Sequence, residues 1–289
     1  MTAKAFPPST ANYRSFTSPR DFAVDWISFY ASAWKRGQAL RSRWRHEVGV
    51  QYGEDDAMCM NIFFPEHVRD DCTVFVYMHG GAFAEGHPDY VDFMGERLLP
   101  EGILFVSMGY RLAPTRFPDS ADDVAQGLAF LEKHLSTRIS GTRRYCLSGH
   151  SAGAGIAALV GVRPELTARA GMPEGLIDSL VLISGIYEFE PWDPSSAFVE
   201  PSRRDEASVI IHAAGAPRMT LIVYGDPEPN RINNRPDVFK LRSVMLEGAL
   251  KAHRRPVVRM EMPGADHVKT GHALDDDRVF AAVLDVLSG

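Results

Sequence analysis

The sequence has few cysteines, no long apolar segment and no excess of positive charge. Its 289 residues include only 3 Cys, an odd number without a CxxC pair. Cys59, Cys72 and Cys146 lie in or beside apolar runs that are typical of strands. We therefore expect three buried free thiols, which fits a reducing compartment.

The other two absences limit the partners and the location of the protein. No apolar run approaches the roughly 18 residues that span a bilayer, so we expect no membrane association. The first residues, MTAKAFPPSTANYRSF, lack the apolar region of a secretory signal, and we expect a cytoplasmic protein. The 31 Lys+Arg against 37 Asp+Glu give a net charge of −6, which argues against nucleic acid as a partner. The 45% apolar content is that of a globular protein and excludes disordered, collagen-like and coiled-coil chains.

Apolar runs alternate with helical patterns along most of the chain. Strands are predicted, in chain order, for residues 58–64, 73–79, 103–108, 145–148, 179–184, 219–225 and 257–262. Helices are predicted for residues 21–45, 119–134, 151–162, 238–251 and 274–287. This alternation predicts βαβ units and a mostly parallel sheet, the α/β class. The first two strands are too close for a crossover helix, so that edge of the sheet is predicted to be antiparallel.

Two segments stand apart from this alternation. We expect residues 1–46 to form an N-terminal arm with lid helices and residues 47–289 to form the catalytic domain. Within that domain, residues 186–216 are rich in Pro, Ser and charge, and a loop of this length is usually functional or disordered. We expect this insertion to act as a second lid, and exposed aromatic residues in the arm are compatible with a homodimer.

Two glycine-containing motifs follow predicted strands. Gly149-His150-Ser151-Ala152-Gly153 lies between a strand and a helix of small residues, where a serine hydroxyl projects above the sheet edge. His79-Gly80-Gly81-Ala82-Phe83 follows an earlier strand, and its glycines leave the backbone open. Backbone N–H groups stabilise the oxyanion of acyl transfer, and we assign that role to Gly81, Ala82 and Ala152. Gly80 is then a turn residue, and His79 is expected to hold the loop by side-chain hydrogen bonds.

A serine nucleophile needs a base. His267, in the sequence PGADH, lies in the loop after the last strand, which returns to the nucleophile's end of the sheet. His272 is the nearby alternative. His150 adjoins the nucleophile, but we expect its side chain to point away and to serve the structure.

The base in turn needs a carboxylate that orients it, and Asp226 and Glu228 both follow the strand at residues 219–225. Glu228 is favoured because it stands where such loops usually place the acid, and Asp226 is the alternative. The order Ser151, Glu228, His267 is the one expected on a sheet of this kind.

From about residue 47 these features together resemble the α/β-hydrolase fold. HGGAF and GHSAGA resemble motifs of the kynurenine formamidase group and of hormone-sensitive-lipase-like esterases, and GHSAGA is closer to the formamidase group. The segment YRLAP, followed by FP and DD, resembles one that those families share, which implies that Arg111 and an Asp of the DD pair brace a crossover. The sequence departs from the pattern at Ala82, Phe83 and Glu228, where a third Gly, Trp and Asp are usual.

The resemblance implies a serine hydrolase that cleaves small carboxylic esters and needs neither a metal ion nor an organic cofactor. An arylformamidase, or a hydrolase of small aryl amides, is the alternative with the same machinery. A ligand receptor on a hydrolase fold is disfavoured because such proteins commonly lose the base. Phe83, Tyr187 and Trp192 are candidates for the substrate pocket, with burial in the core as the competing interpretation.

Overall fold

The computed structural model describes residues 26–191, 194–228 and 237–288. Its centre is an eight-stranded sheet in the spatial order β1-β2-β4-β3-β5-β6-β7-β8. The strands are β1 (Arg45–Gln51), β2 (Cys59–Phe64), β3 (Cys72–Met78), β4 (Leu104–Met108), β5 (Arg143–His150), β6 (Ile177–Ile183), β7 (Met219–Asp226) and β8 (Val257–Pro263). The helices are α1 (Trp26–Arg43), α2 (Gly95–Leu98), α3 (Asp119–Ser136), α4 (Ala152–Val162), α5 (Pro164–Arg169), α6 (Arg204–Ala207), α7 (Val238–Ala252), α8 (His267–Thr270) and α9 (Asp277–Ser288).

Most of the predicted strands and helices are confirmed, with small differences at their ends. Strand β1 was missed because its sequence, RHEVGVQ, is largely polar and its residues are exposed or half-buried at the sheet edge. β2 is antiparallel, as predicted, but it pairs with β1 and β4. β4 lies between β2 and β3 and runs parallel to β3, so the first two predicted strands are not neighbours.

The sheet is buried on both faces. Along β3, Val74, Val76 and Met78 face one apolar cluster, which contains α3 and α4, while Phe75 and Tyr77 face the other. This second cluster includes α1 and α9. Alternate residues of a strand point to opposite faces, so a continuous apolar run is what two covered faces require.

The three cysteines are free and buried, as predicted. Burial raises the pKa of the Cys59 thiol to about 11 and that of Cys146 to about 12, so both stay protonated at neutral pH. Neither thiol therefore has the character of a nucleophile.

The two segments predicted to form lids differ in how much of them is described. Residues 1–25 lie outside the described residues, and α1 packs through Phe29 against Phe93 and His272. The insertion at 186–216, expected as a loop, is a succession of short helical turns held by buried residues such as Val199 and Val209. Among the described residues, no helix combines the length and apolar character needed to cross a membrane.

Candidate active site

Ser151 lies in a sharp turn between β5 and α4. Its backbone has φ 55° and ψ −121°, a sparsely populated conformation that costs about 1–3 kcal/mol and persists only where neighbours enforce it. The N–H of Ser151 donates to the carbonyl of Ile183 at 2.9 Å. A Cβ atom at Gly153 would lie 2.3 Å from the carbonyl oxygen of Met78, so the turn closes only with glycine there. The serine turn predicted from GHSAG is therefore present.

His267 begins the short helix α8, and its imidazole reaches the serine. The side chain of Asp266 caps the helix by accepting hydrogen bonds from the N–H groups of Val268 and Lys269. The Oγ atom of Ser151 lies 3.0 Å from Nε2 of His267. His272, the alternative base, instead lies 3.4 Å from a carboxylate oxygen of Asp275. Of the two candidates, the structure therefore places His267 against Ser151.

Glu228 is the carboxylate that meets His267. Its Oε1 atom lies 2.5 Å from Nδ1 of His267, and its Oε2 atom accepts a 2.7 Å hydrogen bond from the N–H of Gly225. A carboxylate only accepts, so Nδ1 carries the imidazole proton and Nε2 is left to accept from Ser151. The alternative acid, Asp226, pairs instead with Nζ of Lys240 at 2.6 Å.

The HGGAF loop has the unusual backbone that its sequence suggests. Gly81, Ala82 and Phe83 have φ of 125°, 51° and 60°. A Cβ atom at Gly81 would lie 2.0 Å from the carbonyl oxygen of Glu85, so glycine is required there. Within the described chain, the N–H groups of Gly81 and Ala82 donate to no backbone carbonyl. The N–H of Ala152 is in the first turn of α4, where no intrahelical acceptor exists.

The side chain of His79 contacts this loop. Its Nδ1–H donates to the carbonyl of Gly80 at 2.8 Å, and its ring stacks on Tyr110 at a centroid distance of 4.6 Å. The hydroxyl of Tyr110 donates to the carbonyl of His79 at 2.8 Å. Burial lowers the pKa of His79 to about 4, so the ring is neutral at pH 7.

Three side chains around His267 were not assigned to the site from the sequence. Phe239 of α7 stacks on the His267 ring with a centroid distance of 4.3 Å and an interplanar angle of 7°. Thr270 lies one turn after His267 and is fully buried. The ring of His150, expected to point away, lies 4.4 Å from that of His267. No local pattern marks Phe239 or Thr270, since both reach the site only through the packing of α7 and α8.

An apolar cavity lies beside the HGGAF loop, between α4 and the insertion. Its wall includes Phe83, Phe117, Ile156, Leu159, Phe189 and Phe198. The ring of Phe83 lies 5.2 Å from that of Phe198. The expectation that Tyr187 lines the pocket is corrected. Its side chain is fully buried in the core, with its ring against Gly185, and does not contribute to this wall. Trp192 lies outside the described residues.

One grouping in the described part of the chain has the geometry of metal ligands. It consists of His150, Glu228 and His267, with one ligand atom of each within 4.8 Å of the others. Nδ1 of His267 and a carboxylate oxygen of Glu228 already satisfy each other within this group. The hydrogen bond to Ser151 accounts for the remaining nitrogen of His267 without a metal ion.

The segment that resembles YRLAP…DD braces the crossover into α3, as the resemblance implies. The guanidinium of Arg111 binds both carboxylate oxygens of Asp123, with Nη2 to Oδ1 at 2.6 Å. The backbone N–H of Arg111 also donates to Asp123. Asp123 is almost completely buried, so this bidentate pair fixes the start of α3.

The strand order, the serine turn and the contacts of Ser151, His267 and Glu228 define an α/β-hydrolase. More particularly, the chain belongs to the BD-FAE family, whose model matches residues 60–221, more than half of the chain.

Two curated relatives show the range of enzymes that this chain is similar to. It is 32% identical over 176 residues to the kynurenine formamidase of Danio rerio, a match that covers 60% of this chain and 58% of that one. It is 28% identical over 193 residues to esterase LipC of Mycobacterium tuberculosis, covering 65% of this chain and 48% of that one. The matched region thus spans about half the length of these relatives.

Two of the solved structures that share the fold are esterases of low sequence identity. A truncated carbohydrate esterase from gut microbiota has a TM-score of 0.72 at 15% identity, covering 86% of this chain and 97% of that one. Esterase B from Lactobacillus Rhamnosis has a TM-score of 0.70 at 17% identity, covering 97% and 94%. These similarities establish the fold.

Proposed function

We propose that the protein is a serine hydrolase that cleaves small carboxylic esters through an acyl-enzyme intermediate. The observation that carries this proposal is the continuous set of contacts from Oγ of Ser151 to Nε2 of His267, and from Nδ1 of His267 to Oε1 of Glu228. Serine is a weak nucleophile at neutral pH, and this arrangement supplies both the base and the carboxylate that orients it.

In the first half of the reaction, Oγ of Ser151 attacks the ester carbonyl while Nε2 of His267 takes the hydroxyl proton. The imidazolium that forms is stabilised by Glu228, which is completely buried and bound on both oxygens. The tetrahedral intermediate collapses, and His267 returns the proton to the alcohol that leaves. In the second half, a water molecule attacks the acyl-serine carbonyl while Nε2 of His267 takes its proton; the bond to Oγ of Ser151 then breaks, His267 returns the proton to Oγ, and the carboxylic acid is released.

The oxyanion of each tetrahedral intermediate is assigned to the N–H groups of Gly81, Ala82 and Ala152. Loss of one such donor typically costs about 3–4 kcal/mol of transition-state stabilisation. Two features support the assignment: the positive φ angles of the HGGAF loop, and the position of Ala152 at the start of α4, next to the nucleophile. Because His79 is neutral, it supports the loop without placing a positive charge that would compete with the backbone N–H groups for the oxyanion.

The apolar cavity beside Phe83 is the proposed pocket for the apolar part of the substrate. It is adjacent to the oxyanion loop and to Ile156, about one helical turn beyond Ser151. Most of its wall is aromatic or aliphatic, and its two arginines, Arg111 and Arg116, are paired with carboxylates, which favours an uncharged hydrocarbon or aromatic group. Residues 186–216 supply Phe189 and Phe198 to this wall, which supports a lid role for the insertion.

A formamide or small aryl amide is the second candidate substrate. The observation that favours it is the similarity to the Danio rerio kynurenine formamidase. The same nucleophile, base and oxyanion donors serve amide cleavage, with His267 protonating an amine instead of an alcohol. Turnover of aryl esters and of an aryl formamide, measured as kcat/KM on one preparation, separates the two candidates.

The remaining parts of the proposal come from the sequence. A cytoplasmic location, a homodimer and the lid role of residues 1–46 stay predictions. A receptor function is disfavoured because His267 is retained and lies within hydrogen-bonding distance of Ser151.

The test of the proposed function is labelling of Ser151 by a fluorophosphonate, combined with hydrolysis of p-nitrophenyl esters. The wild-type protein should be labelled and should hydrolyse the esters, and Ser151→Ala should lose both, with kcat lower by at least about 10⁴-fold. Equal melting temperatures of the two proteins would show that only the nucleophile has changed. Ester hydrolysis that survives in Ser151→Ala would refute the mechanism.

A further inference from the structure

His150, the residue before the nucleophile, reaches the far side of the Ser151–His267–Glu228 set. It is buried, and its Nε2 atom lies 3.2 Å from Oγ1 of Thr270. Ser151 and His150 are adjacent in the chain, yet the turn at Ser151 sends the serine toward Nε2 of His267 and the histidine toward Thr270.

The hydroxyl of Thr270 lies among three polar groups. Its Oγ1 atom lies 3.2 Å from Oε1 of Glu228, 3.0 Å from the carbonyl oxygen of His267 and 3.2 Å from Nε2 of His150. The carboxylate and the carbonyl only accept, and the hydroxyl has a single proton to donate. We therefore assign the third neighbour as the donor, with the ring proton of His150 on Nε2.

The surroundings of His150 keep the ring neutral. Burial, together with the nearby rings of His267 and His272, holds its pKa well below the usual value, against an opposing backbone hydrogen bond to His267. On its other side the ring meets the oxyanion loop, where a Cβ atom at Gly80 would lie 3.1 Å from Nδ1 of His150. Glu228 is the acidic group beyond Thr270. A neutral ring with its proton on Nε2 fits all of these neighbours.

We propose that His150 is a positioning residue for the Glu228–His267 pair and acts through the hydroxyl of Thr270. Nε2–H of His150 donates to Oγ1 of Thr270, and the hydroxyl of Thr270 donates to Oε1 of Glu228. That oxygen is the one that accepts the Nδ1 proton of His267. No proton moves along this chain of hydrogen bonds, which holds Oε1 in place and draws negative charge from it. The proposal rests on the proposed function, because the pair matters only if His267 serves Ser151.

The first test compares Thr270→Val with Thr270→Ser. Valine keeps the shape of threonine but removes the hydroxyl, so kcat for a p-nitrophenyl ester should fall about tenfold with little change in KM. The acid limb of the pH profile of kcat/KM should move to higher pH, because more charge stays on Oε1 and favours the imidazolium of His267. Serine restores the hydroxyl and should recover most of kcat. An unmoved acid limb in Thr270→Val would overturn the proposal.

The second test asks whether His150 and Thr270 act as one unit. His150→Phe keeps a ring without the donor, and His150→Gln keeps a donor near the position of Nε2. The Phe variant should resemble Thr270→Val, and the double variant should lose little more than either single one. The Gln variant should be the more active of the two. Additive losses in the double variant would show that the two residues act separately and would overturn the proposal.

Two controls make failure of the proposal distinguishable from failure of the proposed function. Thr167→Val removes a buried hydroxyl that donates to the carbonyl of Pro164, away from this site, and should leave kcat and the pH profile unchanged. Ser151→Ala reports on the function itself. If Ser151→Ala abolishes activity but Thr270→Val leaves kcat and the pH profile unchanged, only the positioning role is refuted and the proposed function stands. If no folded His150→Phe protein is obtained, the pair of Thr270 variants decides.

Discussion

The Nε2 atom of His267 lies 3.0 Å from Oγ of Ser151, although the two residues are 116 positions apart in the chain. Ser151 follows β5, and His267 follows β8. Strands β5, β6, β7 and β8 are parallel neighbours, so their carboxyl ends meet at one edge of the sheet. The contact is therefore a product of strand order, and the chemistry depends on how well the loops after those strands are held.

The acid of the site is tested by exchanging each carboxylate for its amide. Glu228→Gln removes the charge that stabilises the His267 imidazolium, and kcat should fall about 10²–10⁴-fold. Asp226→Asn breaks only a partly exposed pair with Lys240 and should change kcat less than threefold. Steady-state hydrolysis of one p-nitrophenyl ester measures kcat for both variants. A larger loss in Asp226→Asn than in Glu228→Gln would transfer the acid role to Asp226.

The apolar cavity is tested by truncating one of its aromatic side chains. Phe198→Ala removes a ring that packs on Phe83, so kcat/KM for a butyrate or benzoate ester should fall about tenfold. The acetate ester, whose acyl group carries a single methyl group, should be affected much less. Phe130→Ala is the matched control, since Phe130 stacks on His134 of α3 and lies outside this wall. Equal losses for long and short acyl groups would remove the cavity from the substrate site.

The stability of the fold should depend on pH through His79. Burial lowers its pKa from the usual 6.5 to about 4, so between those values the unfolded chain binds a proton that the folded protein excludes. The free energy of unfolding therefore decreases as the pH falls from about 6.5 toward 4. In His79→Gln, urea titrations across this window should show a pH slope smaller by about one proton. Asp92, whose pKa burial raises to about 6, contributes with the opposite sign in both proteins and cancels in the comparison. Parallel slopes would contradict the assignment.

The bidentate pair of Arg111 and Asp123 should contribute to stability. Arg111→Ala leaves a buried carboxylate with little besides a backbone N–H, and the free energy of unfolding should fall by about 2–3 kcal/mol. Arg116→Ala is the control, since its pair with Glu200 is exposed and should cost less than about 1 kcal/mol. Chemical denaturation of the three proteins measures the difference. Similar losses in both variants would show that burial of Asp123 does not matter.

Much of the candidate site could be predicted from local sequence, because the serine turn and the HGGAF loop are short. GHSAG and HGGAF each place their glycines within a few residues of the side chain or N–H group they serve, so backbone geometry within one turn determines what they can do. The strands were predictable for the same reason: a strand buried on both faces has a continuous apolar run. β1 was missed because an edge strand with polar residues leaves no such pattern.

Other features depended on contacts between distant segments. The position of β4 between β2 and β3 is set by how the strands pair in the folded sheet, and nothing in the spacing of the strands along the sequence indicates it. Likewise, Tyr187 is aromatic and lies in a polar segment, yet the structure buries it completely. Whether an aromatic residue lines a cavity or fills the core depends on the neighbours that surround it after folding.

The sequence by itself predicted the class of the fold, which the structure confirms, and it assigned Ser151 as nucleophile, His267 as base and an acid between them in the chain, which stays a prediction. The motifs that carry them are local, and they follow strands whose direction alternation with helices already implies. The sequence favoured Glu228 over Asp226, and the tertiary structure places Glu228 against His267. Only the tertiary structure decided that His150 turns toward Thr270. Those outcomes are set by which side chains face each other across β5, β7 and α8, and that depends on packing over the whole sheet edge.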